Sequence, residues 1–153
     1  MSSCVLPSEA QGIFVSGDYA YVADGDSGLI ILNVSNPSSP QEIGHYDAYV
    51  SGVWVSGYYA YAVGEDNLYI LDVTYPYIPQ LSGTYEGDIS FYQVIVENNS
   101  AYIRGYDEVK IINISDPANP MEDGYYKADG WISEIFLQDK YLYMNHGILK
   151  VMP

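Results

Sequence analysis

Apolar and polar positions alternate in short blocks along this chain, and the blocks return at a fixed spacing. One stretch is repeated three times: LIILNVSNPSSP at Leu29–Pro40, LYILDVTYPYIP at Leu68–Pro79 and VKIINISDPANP at Val109–Pro120. Each copy is an apolar run followed by a short polar residue and two prolines. A tyrosine precedes each copy and recurs once more near the end, at Tyr21, Tyr61, Tyr102 and Tyr143. The pattern indicates four repeated units of roughly 40 residues.

Each unit is predicted to form four short strands. In the first unit these lie at about Gly12–Ser16, Tyr19–Asp24, Leu29–Val34 and Gln41–Asp47. Val, Ile, Tyr and Phe dominate the strands, while Gly, Asp, Ser and Pro dominate the segments between them, and no long window has helical periodicity. Because proline lacks the amide hydrogen that a central strand donates, the paired prolines place each linker outside the sheet. The chain is therefore predicted to be all-β.

The third strand of each unit is a nearly continuous apolar run, which indicates burial on both faces of the sheet. Four-stranded units of roughly 40 residues obtain two buried faces when they pack radially as blades. We therefore predict a β-propeller of about four four-stranded blades. It forms a single repeat domain over residues 1–153, with blades at about 12–47, 52–86, 92–127 and 132–152.

The two ends of the chain complement each other in this scheme. The fourth unit contains three strands. At the other end, Leu6 precedes Ile13 by seven positions, as Tyr46 precedes Val53, so Cys4–Leu6 stand where an outer strand would end. Residues 4–6 are therefore predicted to be a latch strand that completes the fourth blade. Three arrangements stay open: a four-bladed ring closed within one chain, an eight-bladed homo-oligomer of two copies, and an excerpt of a larger propeller.

The repeat resembles the LVIVD family of bacterial and archaeal surface proteins. The resemblance is carried by LIILNVSNPSSP, by VSGDYAYVADGDSG at Val15–Gly28 and by the glycine and tyrosine that follow, at Gly44 and Tyr46. It implies β-propeller blades and an extracellular or cell-surface location. No shared catalytic residues define the family, so the resemblance implies none here. The opening residues MSSCVLPSEA have no signal-peptide pattern, and none is expected within this chain.

Charge restricts the partners that the protein is expected to have. Five basic residues stand against twenty acidic ones, giving a formal net charge of −15, and no Lys or Arg occurs before position 104. Such a field repels nucleic acids and anionic membranes. Since no apolar run approaches the ~20 residues of a membrane span, no membrane insertion is expected either. Cations and basic partners remain compatible with this charge.

One acidic motif has the spacing with which a calcium loop begins, namely Asp24-x-Asp26-x-Gly28. Calcium takes about six or more oxygen ligands, and no glutamate stands at the twelfth position of this loop. Asp24 and Asp26 are therefore candidate metal ligands with Ca²⁺ as the cofactor. The alternative is a solvated turn and no cofactor.

Catalysis is not expected from the motifs present. Gly25–Gly28 reads GDSG, as in serine proteases, but Leu29 follows it and no serine recurs in the equivalent turns, so it is interpreted as a hairpin turn. We predict a protein that is not an enzyme but a binding or cell-surface scaffold module. The alternative is a hydrolase acting at an acidic, cation-assisted propeller funnel.

Aromatic side chains at the proline-linker end of the second unit are the candidate binding residues. They are Tyr58, Tyr75, Tyr77 and Ile78. Tyrosine provides amphipathic contact area, so these residues could hold a protein or carbohydrate partner. The alternative is that the rings cover the edge of a blade.

Overall fold

A computed structural model of the chain describes residues 3–139, 141–145 and 149–152. Its regular elements are fifteen β-strands in four antiparallel sheets, so the all-β prediction is confirmed. Within the described residues, no helix has the length and apolar character needed to cross a membrane.

Strand order in every sheet follows chain order. The first sheet contains β1 (Gly12–Ser16), β2 (Tyr19–Ala23), β3 (Leu29–Asn33) and β4 (Gln41–Tyr46). The second contains β5 (Gly52–Ser56), β6 (Tyr59–Gly64), β7 (Asn67–Asp72) and β8 (Gln80–Glu86). The third contains β9 (Gln93–Glu97), β10 (Ser100–Arg104), β11 (Glu108–Asn113) and β12 (Met121–Lys127). The fourth contains β13 (Glu134–Gln138), β14 (Tyr141–Asn145) and β15 (Leu149–Met152).

The tight turn between the first two strands of each sheet explains one recurring feature of the sequence. The turn places one residue in the left-handed region, with φ between 49° and 59°, at Gly17, Gly57, Asn98 and Asp139. Gly, Asn and Asp tolerate this conformation better than other residues, which is why they occupy the hairpin turns.

The sheets stack as blades because each has two apolar faces. We call the face toward the following sheet the front face and the face toward the preceding sheet the back face. The front face of the first blade packs on the back face of the second through Tyr21, Leu29 and Ile31 against Val53 and Leu71. Equivalent clusters join the second blade to the third and the third to the fourth. The inner strands β1, β5, β9 and β13 pack on one another in that order.

A glycine in β4 and a glycine in β8 each receive the proline linker of the next blade. The strand pairing shifts by one residue opposite Ile31 and Ile70, and Gly44 and Gly83 follow these bulges. A Cβ atom on Gly44 would overlap the carbonyl of Pro76, and one on Gly83 would overlap the carbonyl of Pro117. The glycine therefore lets the backbones of neighbouring blades meet.

The amino-terminal segment differs from its prediction. Residues 4–6 form no strand, and the fourth sheet has three strands among the described residues. Leu6 instead packs on the back face of the first blade, against Ala20, Val22, Ile30 and Leu32. Residues 4–6 therefore do not pair as the predicted latch strand within the described part of one chain.

The glycine positions lead to a matched pair of substitutions. Gly83→Ala should lower the free energy of unfolding by about 1–3 kcal/mol, because the new methyl group overpacks the contact with Pro117 and Ala118. Gly124→Ala is the control, since nothing lies within 4 Å of a Cβ at this equivalent position. It should change stability by less than about 0.5 kcal/mol. Urea denaturation measures both, and equal effects at the two sites would contradict the linker contact.

Candidate functional site

The four predicted binding residues lie at one end of the second blade. Tyr58 is in the β5–β6 turn, and Tyr75, Tyr77 and Ile78 are in the β7–β8 linker. The amide of Val73 donates to the carbonyl of Tyr58 at 2.8 Å and so ties the turn to the linker. The rings of Tyr75 and Tyr77 lie 6.0 Å apart between centroids in a tilted arrangement. More than half of each of the four residues is exposed, and we call this surface the aromatic patch.

Linkers in the first and third blades show what the patch replaces. There, Asn36 accepts a hydrogen bond from the amide of Ser38, and Asp116 accepts one from the amide of Ala118. These side chains brace the turn in the manner of an Asx turn. The second blade has Tyr75 at the equivalent position and keeps the same backbone bond, from the amide of Ile78 to the carbonyl of Tyr75 at 3.0 Å. Asp72 still accepts a hydrogen bond from the amide of Thr74 earlier in this linker, but the turn from Tyr75 to Ile78 forms without a polar side chain at position 75.

Asp24 and Asp26, the candidate metal ligands, lie in different surroundings. Asp24 is fully buried, and its Oδ2 accepts a hydrogen bond from the amide of Ser8 at 2.9 Å. Its Oδ1 has no hydrogen-bond partner among the described residues. Asp26 is exposed at the tip of the turn. In the described part of the chain, no three or more His, Cys, Asp or Glu side chains gather where they could hold a metal ion.

The four inner strands line a central groove of about 510 Å³. Phe14 and Trp54 contribute its apolar wall, with their ring centroids 4.8 Å apart. At the end of the groove where β10 finishes, Arg104 donates from Nε to Oε1 of Gln93 at 3.3 Å and from Nη1 to the carbonyl of Ile132 at 2.9 Å. Burial lowers the pKa of Arg104. Its guanidinium joins the third blade to the fourth.

Arg104 is a polar groove residue that the sequence reasoning did not select. The available signal was that it is the first basic residue of the chain and stands where the earlier units have Ala23 and Val63. The guanidinium also lies 5.3 Å from the ring centroid of Tyr92, within the range of a cation–π contact. The side chain thus combines hydrogen bonding and ring stacking at the mouth of the groove.

A buried lysine forms a second polar cluster between the second and third blades. The side chain of Lys110 is 6% exposed, and its Nζ lies 2.9 Å from Asp88, 3.2 Å from Glu108 and 3.0 Å from Glu122. Tyr85 donates a short hydrogen bond to the same Glu122 oxygen. The earlier units have Ile30 and Tyr69 at this position, so Lys110 replaces an uncharged residue of the repeat.

Protonation states in this cluster follow from its contacts. Burial lowers the pKa of Lys110, but hydrogen bonds to Asp88, Glu122 and Glu108 outweigh burial and raise it above its ordinary value. Burial and the hydrogen bond to Glu122 raise the pKa of Tyr85 to about 12. Because a nucleophilic lysine requires a lowered pKa, this ammonium is suited to holding carboxylates and not to covalent chemistry.

The repeat that forms the blades is that of a known family. The LVIVD repeat matches residues 7–48, 47–87 and 92–128, which is well over half of the chain. The chain belongs to the LVIVD repeat family. The resemblance seen in the sequence is thereby confirmed, and each match covers one four-stranded sheet of the structure.

Solved structures with the same fold share little sequence with these LVIVD repeats. The computationally designed Ika4 protein is 10% identical, with a TM-score of 0.77, over 97% of this chain and 92% of its own. The designed Ika8 protein is 13% identical, with a TM-score of 0.73, over 94% of this chain and 45% of its own. The Cps50 (Swd1) β-propeller domain of Myceliophteria thermophila is 11% identical, with a TM-score of 0.73, over 97% of this chain and 52% of its own.

These likenesses confirm the predicted β-propeller fold. The chain spans about half the length of two of the three structures. No match to the chain was found among curated proteins.

The Lys110 cluster leads to a prediction about stability. Lys110→Met should lower the free energy of unfolding by about 3 kcal/mol, because it leaves three carboxylates facing one another without their shared cation. Lys127→Met is the exposed counterpart. This lysine is 57% exposed and lies 3.3 Å from Asp107 and 3.8 Å from Glu108, so its replacement should cost less than about 1 kcal/mol. Chemical denaturation of both variants distinguishes them. Similar losses from the two substitutions would show that the buried cluster has no special role.

Proposed function

We propose that this LVIVD-repeat propeller is a non-catalytic binding module and that the aromatic patch of the second blade is its contact surface. One observation carries the proposal. Three blades share the same linker turn, but only the second, among the described residues, replaces bracing polar side chains with exposed rings. The same backbone hydrogen bond forms this turn in all three blades, and two of them have no aromatic ring there. The fold therefore does not require the rings, and a role in recognition accounts for their presence.

The chemistry of the patch restricts the partner to a protein or a carbohydrate. Tyrosine offers a flat apolar ring and a hydroxyl that can donate or accept, and such side chains are enriched at recognition surfaces. The net charge of −15 disfavours an anionic partner. A neutral sugar face or an apolar side chain flanked by basic groups fits both features. The extracellular location implied by the family resemblance belongs to the same proposal.

The non-catalytic part of the proposal rests on how the charged side chains are used. The Lys110 ammonium is held by carboxylates and Arg104 by a backbone carbonyl and Gln93, so both cations already have protein partners. Nothing in the described residues favours the alternative of a hydrolase at an acidic funnel over these structural roles.

A linker exchange tests the patch. The variant Tyr75→Asn, Tyr77→Ser, Ile78→Ser gives the second blade the residues of Asn36, Ser38 and Ser39. Labelled wild-type protein would be applied to glycan arrays and to displayed peptide libraries, and the variant to every ligand that the wild type selects. We expect binding to weaken by about tenfold or more, since exposed rings supply most of the contact. The melting temperature should be unchanged, because the new Asn braces the turn.

Tyr106→Ser is the control, since this tyrosine is as exposed as the patch residues but lies in the β10–β11 turn. It should bind like the wild type. The proposal fails if the wild type selects no ligand, or if the exchanged linker binds as tightly as the native one.

A further inference from the structure

The back face of the first blade is one half of an interface that occurs three times elsewhere in the chain. It is uncovered along the inner strand β1, while Leu6 and Val34 pack on the rest of it. Ile13 and Val15 are 66% and 58% exposed, whereas the equivalent Val53 and Val55 are each 7% exposed. The same positions in the third blade, at Val94 and Val96, are buried as well. Each of the later blades is covered by the blade before it. The first blade therefore presents a surface with the shape and chemistry to receive one.

The front face of the fourth blade is the opposite half of the same interface. Phe136 is 60% exposed, whereas Ile95 at the equivalent position of the third blade is buried in the cluster that joins the third blade to the fourth. Phe14 and Trp54, at the same position in the first two blades, are partly buried. One chain thus displays both complementary halves of an interface that its own repeats already use.

Hydrogen bonds place the amino-terminal segment where a preceding blade would connect. The amide of Gln11 donates to the carbonyl of Ala23 at 2.8 Å, as that of Ser51 does to Val63 at 2.7 Å and that of Tyr92 to Arg104 at 2.9 Å. The last two bonds anchor the connections between blades. Leu6 accordingly packs on the first blade in the manner of Tyr46, the final residue of β4, on the second.

In the second, third and fourth blades, the connection that leads into the blade is preceded by the outer strand of the blade before it, namely β4, β8 or β12. Residues 4–6 occupy that place in the chain but have no sheet partner in the described residues, and β15 pairs with β14 alone there.

We propose that two copies of this chain close one eight-bladed propeller. The front face of the fourth blade in each copy covers Ile13 and Val15 of the other, and residues 4–6 of each copy add a fourth strand to β15 of the other. Two-fold symmetry makes both contacts identical, so neither apolar face remains exposed. A second copy is the occupant because it supplies the same interface that joins the blades within the chain. The surface is separate from the aromatic patch.

Mass in solution tests the proposal directly. Sedimentation equilibrium over a concentration series should give twice the 17.0 kDa mass of one chain. Association should strengthen with NaCl, because two chains of net charge −15 repel each other while their contact faces are apolar. A mass of one chain throughout, or a series of growing oligomers, would overturn the closed two-copy ring.

Three substitutions locate the contact. Ile13→Asp and Phe136→Asp should each raise the dissociation constant by about tenfold or more, because each places a charge in an apolar interface. Met121→Asp is the control: it changes an equally exposed apolar residue to the same acid on the outer strand of the third blade. It should leave the mass unchanged. Loss of the dimer in the control, or its retention in both interface variants, contradicts the assignment.

The strand contribution has its own test. Val5→Pro removes an amide hydrogen from the segment proposed to pair with β15, and Val5 is 92% exposed in the single chain. This variant should weaken the dimer while the dissociated chain keeps its melting temperature. An unchanged dissociation constant would overturn the proposed strand pairing. The aromatic-patch exchange should leave the dimer intact, so the two proposals fail independently.

Discussion

Burial of apolar residues on both faces of each sheet is the constraint on which this structure depends. A strand such as β3, with Leu29, Ile30 and Ile31 all buried, presents apolar side chains to both sides. Because exposing either apolar face to water is unfavourable, burial of both faces favours a neighbour on each side of a sheet. Radial stacking supplies one on each side, and the repeat of roughly 40 residues is the sequence length that one such sheet requires. Bulges, glycines and proline linkers serve this stacking by letting backbones of adjacent blades approach.

Departures from the repeat carry the individual chemistry of the protein. The second unit exchanges the polar linker residues for Tyr75 and Tyr77, and the third introduces Lys110 and Arg104 where the first two units have uncharged residues. Both cations hold neighbouring blades together. Lys110 binds carboxylates between the second and third blades, and Arg104 donates to Gln93 of the third blade and to the carbonyl of Ile132 before the fourth. The aromatic exchange does not contribute to the stacking. The rings of Tyr75 and Tyr77 project from a turn that a backbone hydrogen bond already stabilises.

Much of the fold could be predicted from the sequence because it is specified locally. Prolines, hairpin glycines and apolar runs define each strand within a few residues, and repetition confirms each assignment three times over. The exposed position of the aromatic patch could be predicted for the same reason, since paired prolines exclude the linker from the sheet. The Lys110 cluster could not be predicted, because its partners Asp88 and Glu122 come from separate segments that only the stacking of blades brings together.

The position of the amino-terminal segment shows a different limit. Register correctly relates Leu6 to Tyr46, as both pack on the blade that follows them. Register cannot specify which sheet edge the residues before Leu6 reach, because spacing along a chain contains no information about the distance between its ends. The burial of Leu6 against Val22 and Ile30 holds the segment on the first blade. Residues 4–6 can therefore form a strand only if the edge of another sheet lies next to the first blade.

Thiol accessibility at equivalent positions tests the central claim that each blade is buried by the one before it. Single cysteines would be placed at Val53, Val94 and Leu81 in a Cys4→Ser background, and their labelling by a thiol reagent would be timed under native conditions. The account predicts that Val53→Cys and Val94→Cys react only at the rate of unfolding, whereas Leu81→Cys, at an exposed position on β8, reacts at once. Labelling of the three cysteines at similar rates would contradict the stacking of blades.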